Sequence, residues 1–311
     1  QGENTMKNVK ILLIFMAIST LVFASNTRTN ALGGAGFWAD DYANVWNFPA
    51  DVNNHNVAYT SGDNFATIFD HDGTKWGFSW NQANANDMIN LQWGNGSMGV
   101  TFGLNMSASD NGLTGDGSST SGMGLSASWG MEMGFGELGV GFSNSSYDDG
   151  DADSKDDPAT MGLTVNLRRA QSLWIFDNML AQFNYASENE GWKDDQTAME
   201  LAVSYYTHIN VGANTTALVA AGFGYGSVTN VNGTKDATLT TIALPAWTFA
   251  VETNMTDWGS LRCGVTSQYN LSMTENDGPT GTAEAPVPGV DETSRGGTGV
   301  DVSMGLGFNF G

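Results

Sequence analysis

The chain has 311 residues and carries 33 Asp and Glu against 11 Lys and Arg, which gives a formal net charge of −22 at pH 7. So large an acidic excess repels a phosphate backbone and argues against nucleic acid as a partner. Gly is abundant at 40 residues and Pro scarce at 6, a balance that favours β-sheet over a disordered linker. The single cysteine, Cys263, cannot form an internal disulfide, so cysteine content neither requires nor excludes an oxidising compartment.

The first predicted element is a secretory signal peptide at residues 6–24. Two lysines precede an apolar run that begins at Ile11, and small residues follow at Ala24. A membrane-anchor helix is the alternative, although the run is short for a span. The signal predicts export of the remaining chain.

The next predicted unit, residues 25–54, shows neither helical nor strand periodicity. Its glycines allow tight backbone turns, and its aromatic side chains supply apolar mass. We expect this unit to fold into the interior of a barrel as a hatch or plug. A periplasmic tail that caps the barrel mouth is the alternative.

From residue 55 onward, apolar and small polar residues alternate in segments of about ten residues, the length of a tilted bilayer-crossing β-strand. In the last of these, apolar residues from Val300 to Phe310 alternate with polar or small ones from Asp301 to Asn309. We predict fourteen strands, an even number as closure requires, with twelve as the alternative because the first two are weak. The predicted strands lie near residues 55–60, 64–70, 74–81, 88–94, 97–107, 122–132, 137–146, 158–168, 173–186, 198–208, 214–226, 240–252, 258–270 and 299–310.

The connectors between the later strands alternate in length. Short turns are predicted near residues 133–136, 169–172, 209–213 and 253–257, and long polar loops near 108–121, 147–157, 187–197, 227–239 and 271–298. Outer-membrane barrels have short periplasmic turns and long external loops. The sequence therefore predicts an all-β, transmembrane, antiparallel up-and-down β-barrel at residues 55–311 of the bacterial outer membrane, with both termini in the periplasm. Its expected partners are the lipid bilayer and lipopolysaccharide, and the pattern does not indicate an oligomeric state.

The predicted inner face of the barrel consists mostly of Gly, Ser and Thr, which cannot fill a wide barrel. The interior is therefore expected to hold water or a plug. Glu200, Arg168, Arg262 and Asp301 are predicted to face inward and line a conduit. Alternatively, the charged side chains pair with one another or with carboxylates of residues 25–54, and Arg169 is interpreted as a turn residue.

One predicted external loop carries acidic residues at alternate positions. Asp149, Asp151 and Asp153 are the candidate calcium ligands, because carboxylates gathered in this way bind hard cations. A solvated loop is the alternative, and no other metal site or cofactor is predicted. The acidic loops should attract cations and disfavour anions.

Histidine is the main candidate for a catalytic base, and the chain has His55, His71 and His208. The spacing ties none of them to a nucleophile or to an orienting carboxylate. We therefore do not expect an enzyme.

The region after the signal peptide contains the runs Leu32-Gly33-Gly34-Ala35, Ala39-Asp40-Asp41, Trp46-Asn47 and Pro49-Ala50. This pattern resembles the start of the long-chain fatty-acid transporter family and of the related PorV-type barrels, which commonly carry G-G-A, A-D-D and W-N-P-A. The resemblance implies a fourteen-stranded barrel with an amino-terminal hatch in its lumen, and passage of hydrophobic compounds across the outer membrane. Here Phe48 separates Asn47 from Pro49, and the mature chain is shorter than a typical fatty-acid transporter.

Two functions follow from these observations. The first is an outer-membrane channel or transporter for small or hydrophobic solutes, with a lumen partly closed by the amino-terminal segment. The alternative is a structural or scaffold barrel of a secretion or surface-assembly system, which the PorV resemblance allows.

Overall fold

The computed structural model describes residues 26–61, 64–81, 88–110, 119–148, 157–189, 195–230, 237–276, 280–282, 285–287 and 291–308. The predicted signal peptide at residues 6–24 and the calcium candidates Asp149, Asp151 and Asp153 lie outside these ranges. Within them, no helix is both long enough and apolar enough to span a membrane.

Fourteen strands form one antiparallel sheet in which each strand pairs with the next along the chain. The strands are β1 (Val57–Ser61), β2 (Asn64–His71), β3 (Thr74–Asn81), β4 (Ile89–Gly94), β5 (Met98–Asp110), β6 (Ser119–Met133), β7 (Gly136–Asp148), β8 (Ala159–Leu173), β9 (Phe176–Asn189), β10 (Gln196–Gly212), β11 (Thr215–Thr229), β12 (Thr238–Thr256), β13 (Gly259–Asn276) and β16 (Asp291–Phe308). A separate hairpin of β14 (Thr280–Thr282) and β15 (Ala285–Val287) lies between β13 and β16. The prediction of an all-β, up-and-down antiparallel barrel with fourteen strands is confirmed.

The strands fall into two groups by length. Strands β1 to β4 have 5, 8, 8 and 6 residues, and we call them the short-strand wall. The other ten strands of the sheet have between 13 and 19 residues, and we call them the long-strand wall. The sheet therefore differs in height from one side to the other.

The two faces of the sheet differ in chemistry, as a period of two requires. Apolar side chains such as Phe102 and Met123 stand on the outer face, where 47% and 49% of their surfaces are exposed. Small or polar residues stand on the inner face, where Thr101 and Asn166 are both buried. The ladder between β5 and β6 keeps this separation, because it pairs Phe102 with Ala127 outside and Gly103 with Ser126 inside.

Three predicted turns are misplaced. Strands β10 and β12 run to Gly212 and Thr256, so most of the turns predicted near residues 209–213 and 253–257 is strand, and the chain turns at residues 213–214 and 257–258.

The third difference, in the turn after β8, is larger. Strand β8 continues to Leu173 and turns at Trp174 and Ile175, so Arg169 lies within the strand and not in a turn at residues 169–172. Trp174 adopts a φ of 55°, a conformation that usually calls for Gly or Asn. The turn therefore contains neither Gly nor Asn, the residues that usually mark such a turn in a sequence. The polar run that begins at Arg168 looks like a turn but is strand.

Two further differences concern strand ends. The ladder between β8 and β9 shifts register after Ala170, and Asp177 is exposed at the rim beside the turn at Trp174 and Ile175. The connector predicted at residues 271–298 is largely strand, because β13 runs to Asn276 and β16 begins at Asp291. The sheet here extends well beyond the alternating apolar pattern that marked the strand in the sequence.

Three short helices precede the sheet: α1 (Asn26–Ala31) and two 3-10 helices, η1 (Tyr42–Trp46) and η2 (Pro49–Asn54). Asp41 caps η1 by accepting a hydrogen bond from the backbone N–H of Ala43 at 3.1 Å, and it also accepts one from the Thr29 hydroxyl at 2.9 Å. Pro49 starts η2, where its missing N–H costs no helical hydrogen bond. The turns after α1 use glycines with positive φ, namely Gly33, Gly34 and Gly36.

Candidate functional site

The amino-terminal segment, residues 26–54, lies against the inner face of the sheet near its short turns. A β-carbon added at Gly99 would stand 1.9 Å from the carbonyl oxygen of Pro49, and one added at Gly139 would stand 1.9 Å from that of Asn47. Both glycines lie within four residues of the start of their strands. Only a residue without a side chain fits at these two positions, because the segment's backbone directly touches the sheet.

Apolar side chains of the segment form the largest hydrophobic core together with the inner face. Leu32 and Phe48 are fully buried, and the Phe37 ring meets the Tyr206 ring edge-on at 5.3 Å between centroids. The core comprises Leu32, Phe37, Trp38 and Phe48 of the segment and Leu180, Tyr206, Leu218, Ala220 and Ala250 of the sheet. The segment therefore packs against the inner face of the sheet through a shared apolar core.

The later part of the segment, residues 42–54, is held by a buried ion cluster, and we call this part the root. The Arg168 guanidinium donates to the carboxylates of Asp51 at 3.0 Å and Glu137 at 2.5 Å. It also donates to the Gly36 carbonyl at 3.2 Å and lies 4.6 Å from the centre of the Phe48 ring. The Asp51 side chain is only 2% exposed. Burial raises the pKa of Asp51, and the charge of Arg168 opposes that rise.

The earlier part, residues 26–41, is held by a second cluster, and we call this part the arm. Arg28 donates to both carboxylate oxygens of Glu252, at 3.1 and 2.8 Å, and to Asp40 at 2.9 Å. Arg262 donates to the same Glu252 at 2.6 Å. Burial acts to lower the pKa of Arg28, but the hydrogen bonds to Glu252 and Asp40 outweigh it and raise that pKa, so the side chain stays charged. The Arg28 side chain is 18% exposed and that of Asp40 73%, so this cluster reaches solvent.

Neutral hydrogen bonds attach the root to further strands. The Asn53 amide donates to the Met98 carbonyl at 3.0 Å and accepts from the backbone N–H of Gly96 at 2.8 Å. On the opposite side, the Asn166 amide donates to the Asn47 carbonyl at 3.3 Å. The root is thus bound on several sides, through β5, the turn before it, and β8.

His55 follows the root and stacks edge-on against Tyr42 at 6.4 Å between ring centroids. Burial lowers the pKa of His55, while the carboxylates of Asp51, Asp41 and Asp40 act to raise it. The ring is therefore neutral over a wider pH range than a free imidazole.

Beyond the segment, toward the long loops, the inner face carries uncharged polar side chains with a few carboxylates. Glu200 lies among them and accepts a hydrogen bond from the Asn184 amide. Asp301 stands opposite Thr266 on the ladder between β13 and β16, on the face that also carries Ser303. The lining there includes Ser126, Ser128, Thr164, Gln182 and Ser204.

The structure separates the four residues predicted to line a conduit. Arg168 and Arg262 point inward and pair with carboxylates, which was the alternative interpretation, whereas Glu200 and Asp301 lie elsewhere on the inner face. The sequence analysis missed four residues that complete the clusters, namely Arg28, Asp51, Glu137 and Glu252. A signal was available for two of them: Glu137 stands directly opposite Arg168 on its ladder, and Glu252 directly opposite Arg262. The four side chains of these two pairs alternate onto the inner face, so knowledge of the strand register would have predicted both pairs.

The residues that carry the family resemblance all lie in the segment. The Asn47 and Pro49 carbonyls touch the sheet, Asp41 caps η1, and Asp40 joins Arg28. Phe48, which interrupts the family pattern, is fully buried beneath the Arg168 guanidinium. The extra residue therefore supplies an aromatic contact.

The histidines lie apart from one another. The His208 ring packs 4.7 Å from that of Trp38, and His71 is an exposed residue beside Asp72. In the described ranges, His, Cys, Asp and Glu form no group that could hold a metal ion.

No family model and no curated protein matches this sequence. Two solved structures are similar to it, both of OmpT of Vibrio cholerae. The one described as outer-membrane expressed shares 11% identity over 79% of this chain and 87% of that chain, with a TM-score of 0.35. The in-vitro folded protein in its trimer form shares 12% identity over 79% of this chain and 90% of that chain, with a TM-score of 0.33. Values this low transfer neither fold nor function to this chain.

Proposed function

We propose that the chain is a bacterial outer-membrane channel for small solutes, closed at its short-turn end by the amino-terminal segment, which acts as a hatch. The apolar outer face suits lipid, and the polar inner face suits a water-filled path. The observation that carries the proposal is the direct contact of the Asn47 and Pro49 carbonyls with Gly139 and Gly99, because it leaves no gap between segment and sheet there. Both termini then lie in the periplasm.

The inner face indicates which solutes pass. The apolar inner-face residues near the short turns are buried in the core around Phe48. The lining beyond the segment offers amide and hydroxyl groups to a solute. Such a lining favours small polar solutes over long apolar ones. Acidic residues at the long-loop ends, including Asp148, Glu188 and Asp195, favour cations.

Planar-bilayer conductance tests the closure directly. We expect the intact protein to conduct poorly and a variant lacking residues 26–54 to form an open, cation-preferring channel. The preference should weaken at high salt, because salt screens the loop charges. Free conductance by the intact protein would show that the segment does not close the path.

A tether provides a control that does not depend on deletion. A β-carbon at residue 94 would lie 2.5 Å from the Val52 Cγ1 atom and 2.4 Å from the Asn53 Oδ1 atom. Val52→Cys and Gly94→Cys therefore bring two thiols together in a Cys263→Ser and Asn53→Ala background, where the shortened side chain at residue 53 makes room for the tether. In an Arg168→Ala variant, which weakens the root, we expect this pair to block conductance when oxidised and to permit it when reduced. Equal conductance in both states would contradict movement of the root away from β4. A gel-mobility shift on heating verifies that each variant is folded.

A structural or scaffold role is the second candidate, favoured by the burial of the root. The side chains of Asp51, Glu137 and Arg168 are only 2 to 10% exposed, as in a permanently closed barrel. If the intact, truncated and Arg168→Ala proteins all fail to conduct while folded, the scaffold role replaces the channel.

A further inference from the structure

The outer face of the short-strand wall differs from the rest of the barrel in composition. Strands β2 to β4 place eleven side chains on this face, and six of them are Phe or Trp. We call this surface, together with Phe102 of β5, the aromatic face; its members are Phe65, Phe69, Trp76, Phe78, Trp80, Leu91, Trp93 and Phe102. On β8, the corresponding outer residues are aliphatic: Met161, Leu163, Val165 and Leu167.

The aromatic side chains are arranged in direct cross-strand pairs. Phe65 stands opposite Trp80, and Trp76 stands between Phe69 and Trp93 on its two ladders. The paired rings restrict one another, and aromatic side chains have few rotatable bonds. Burying them against a partner therefore costs little conformational entropy.

This distribution is not that of a lipid-facing wall. Such walls carry aromatic girdles at the two membrane interfaces and aliphatic residues between them. On β3, however, Trp76, Phe78 and Trp80 occupy the lower, middle and upper outer positions in succession. Among the eight members of the aromatic face only Leu91 is aliphatic, and it stands at the middle level between Phe78 and Phe102.

In the residues that the structure describes, the short-strand wall is also low for a bilayer. The 8 residues of β2 or β3 extend about 26 Å. At a tilt of about 40° such a strand rises about 20 Å, less than the apolar band of about 25 Å typical of outer-membrane barrels. If lipid alone surrounded this wall, the bilayer would have to become thinner beside it. A protein partner of the same height would cover the wall without any thinning of the bilayer.

From these observations we infer that the aromatic face is where a second copy of this chain docks within the membrane plane, about a two-fold axis near Leu91. The face carries no charged side chain, so two identical faces can meet without repulsion despite the net charge of −22. Its members are largely open to contact: Phe69, Trp76 and Leu91 are 50%, 46% and 54% exposed. At 150–250 Å² per aromatic side chain, the exposed aromatic surface comes to about 500 Å² per copy, and neighbouring aliphatic residues bring it near the roughly 800 Å² of a standard interface.

Cysteine cross-linking tests the inference in outer membranes or lipid vesicles. In a Cys263→Ser background, Leu91→Cys places a thiol at the centre of the aromatic face, and Phe142→Cys places one at a matched position on β7 that is 48% exposed. With a short bismaleimide, we expect covalent dimers from Leu91→Cys whose yield persists when the protein is diluted about tenfold in lipid. The Phe142→Cys control should yield few dimers, and fewer on dilution.

Several outcomes would overturn the inference. If the two variants cross-link equally, or if the Leu91→Cys dimers disappear on dilution, lipid covers the face. An adduct with a different protein in place of the dimer would assign the face to another partner.

A second measurement uses particle mass in mild detergent. The pair Phe69→Ala and Trp76→Ala should halve the protein mass of the particle, whereas the matched pair Trp129→Ala and Phe142→Ala should leave it unchanged. A monomeric unmodified protein, or equal effects of the two pairs, would contradict docking. Heat-dependent gel mobility verifies that the compared variants are folded.

Discussion

The root and the arm of the amino-terminal segment are both held by an arginine that meets two carboxylates, yet the two clusters differ in burial. In the root, Asp51 is 2% exposed and Arg168 10%. In the arm, Arg28 is 18% exposed, and its partner Asp40 is 73% exposed. Since a charge left unpaired costs more free energy the further it lies from water, the same chemistry should anchor the root firmly and the arm only weakly.

Substituting Arg168 should have the largest effect. Arg168→Ala leaves the buried carboxylates of Asp51 and Glu137 facing each other without a cation, and we expect it to cost about 3–5 kcal/mol of unfolding free energy. Urea unfolding of the protein in lipid vesicles measures this cost. The double variant Asp51→Asn and Glu137→Gln in the Arg168→Ala background should recover much of it, because no unpaired charge then remains. A cost near zero for Arg168→Ala would contradict the distinction between root and arm.

The contact of the root with β7 should give the next largest effect. Gly139→Ala adds a β-carbon 1.9 Å from the Asn47 carbonyl oxygen, so the root must shift. We expect a loss of about 1–3 kcal/mol, as for other overpacked sites. The control is Gly224→Ala on the inner face of β11, where the added carbon meets only Ala243 at an ordinary 3.6 Å. Equal unfolding midpoints for the two variants would mean that the root does not rest on β7.

Substituting Arg28 should have a smaller and more local effect. Glu252 keeps Arg262 as a partner, and Asp40 is already in solvent, so we expect Arg28→Ala to cost about 1 kcal/mol. Hydrogen exchange should accelerate at residues 26–41 and remain unchanged at residues 42–54. Acceleration across both parts would show that arm and root move as one unit.

The smallest effect concerns pH and His55. Because its folded-state pKa lies below the ordinary 6.5, the neutral ring is favoured in the folded protein, and this contribution to stability is complete above pH 6.5 and lost as the pH falls through the folded-state value. Asp51 has the opposite sign: its pKa is raised, so its contribution is present at low pH and lost as the pH rises. We expect protection of the root amides to fall between pH 7 and 5 in the unmodified protein and to stay level in His55→Gln. An unchanged slope in His55→Gln would assign the titration to another group.

Much of the sheet could be predicted from local pattern alone. Alternation with a period of two identifies strands such as β5 and β6, where Phe102 faces outward and Gly103 inward, because lipid and water select opposite side chains at each step. The turn at Trp174 was not predicted, because tryptophan is not a residue type that usually adopts a positive φ.

The clusters were harder to predict, since they depend on long-range register. Arg168 and Arg262 could be placed on the inner face by parity, but their partners in the segment, Asp51 and Arg28, lie in a region without periodicity. Nothing local to Asp51 shows that its side chain will be buried, because that burial results from packing of η2 against strands distant in sequence and from the ion pair with Arg168. The cross-strand pairs Glu137 with Arg168 and Glu252 with Arg262 were accessible only once register was known.

The position of the root next to β1 has a consequence for the order of folding. Arg168 lies 117 residues from Asp51 in sequence, whereas Glu252 lies 224 residues from Arg28. Closing the longer loop costs more chain entropy. The root can therefore find β7 and β8 while the last strands are still unpaired, whereas the Arg28 cluster of the arm can form only after β12 and β13 are in place. Assembly would then begin around the root, with formation of the Arg28 cluster among its final steps.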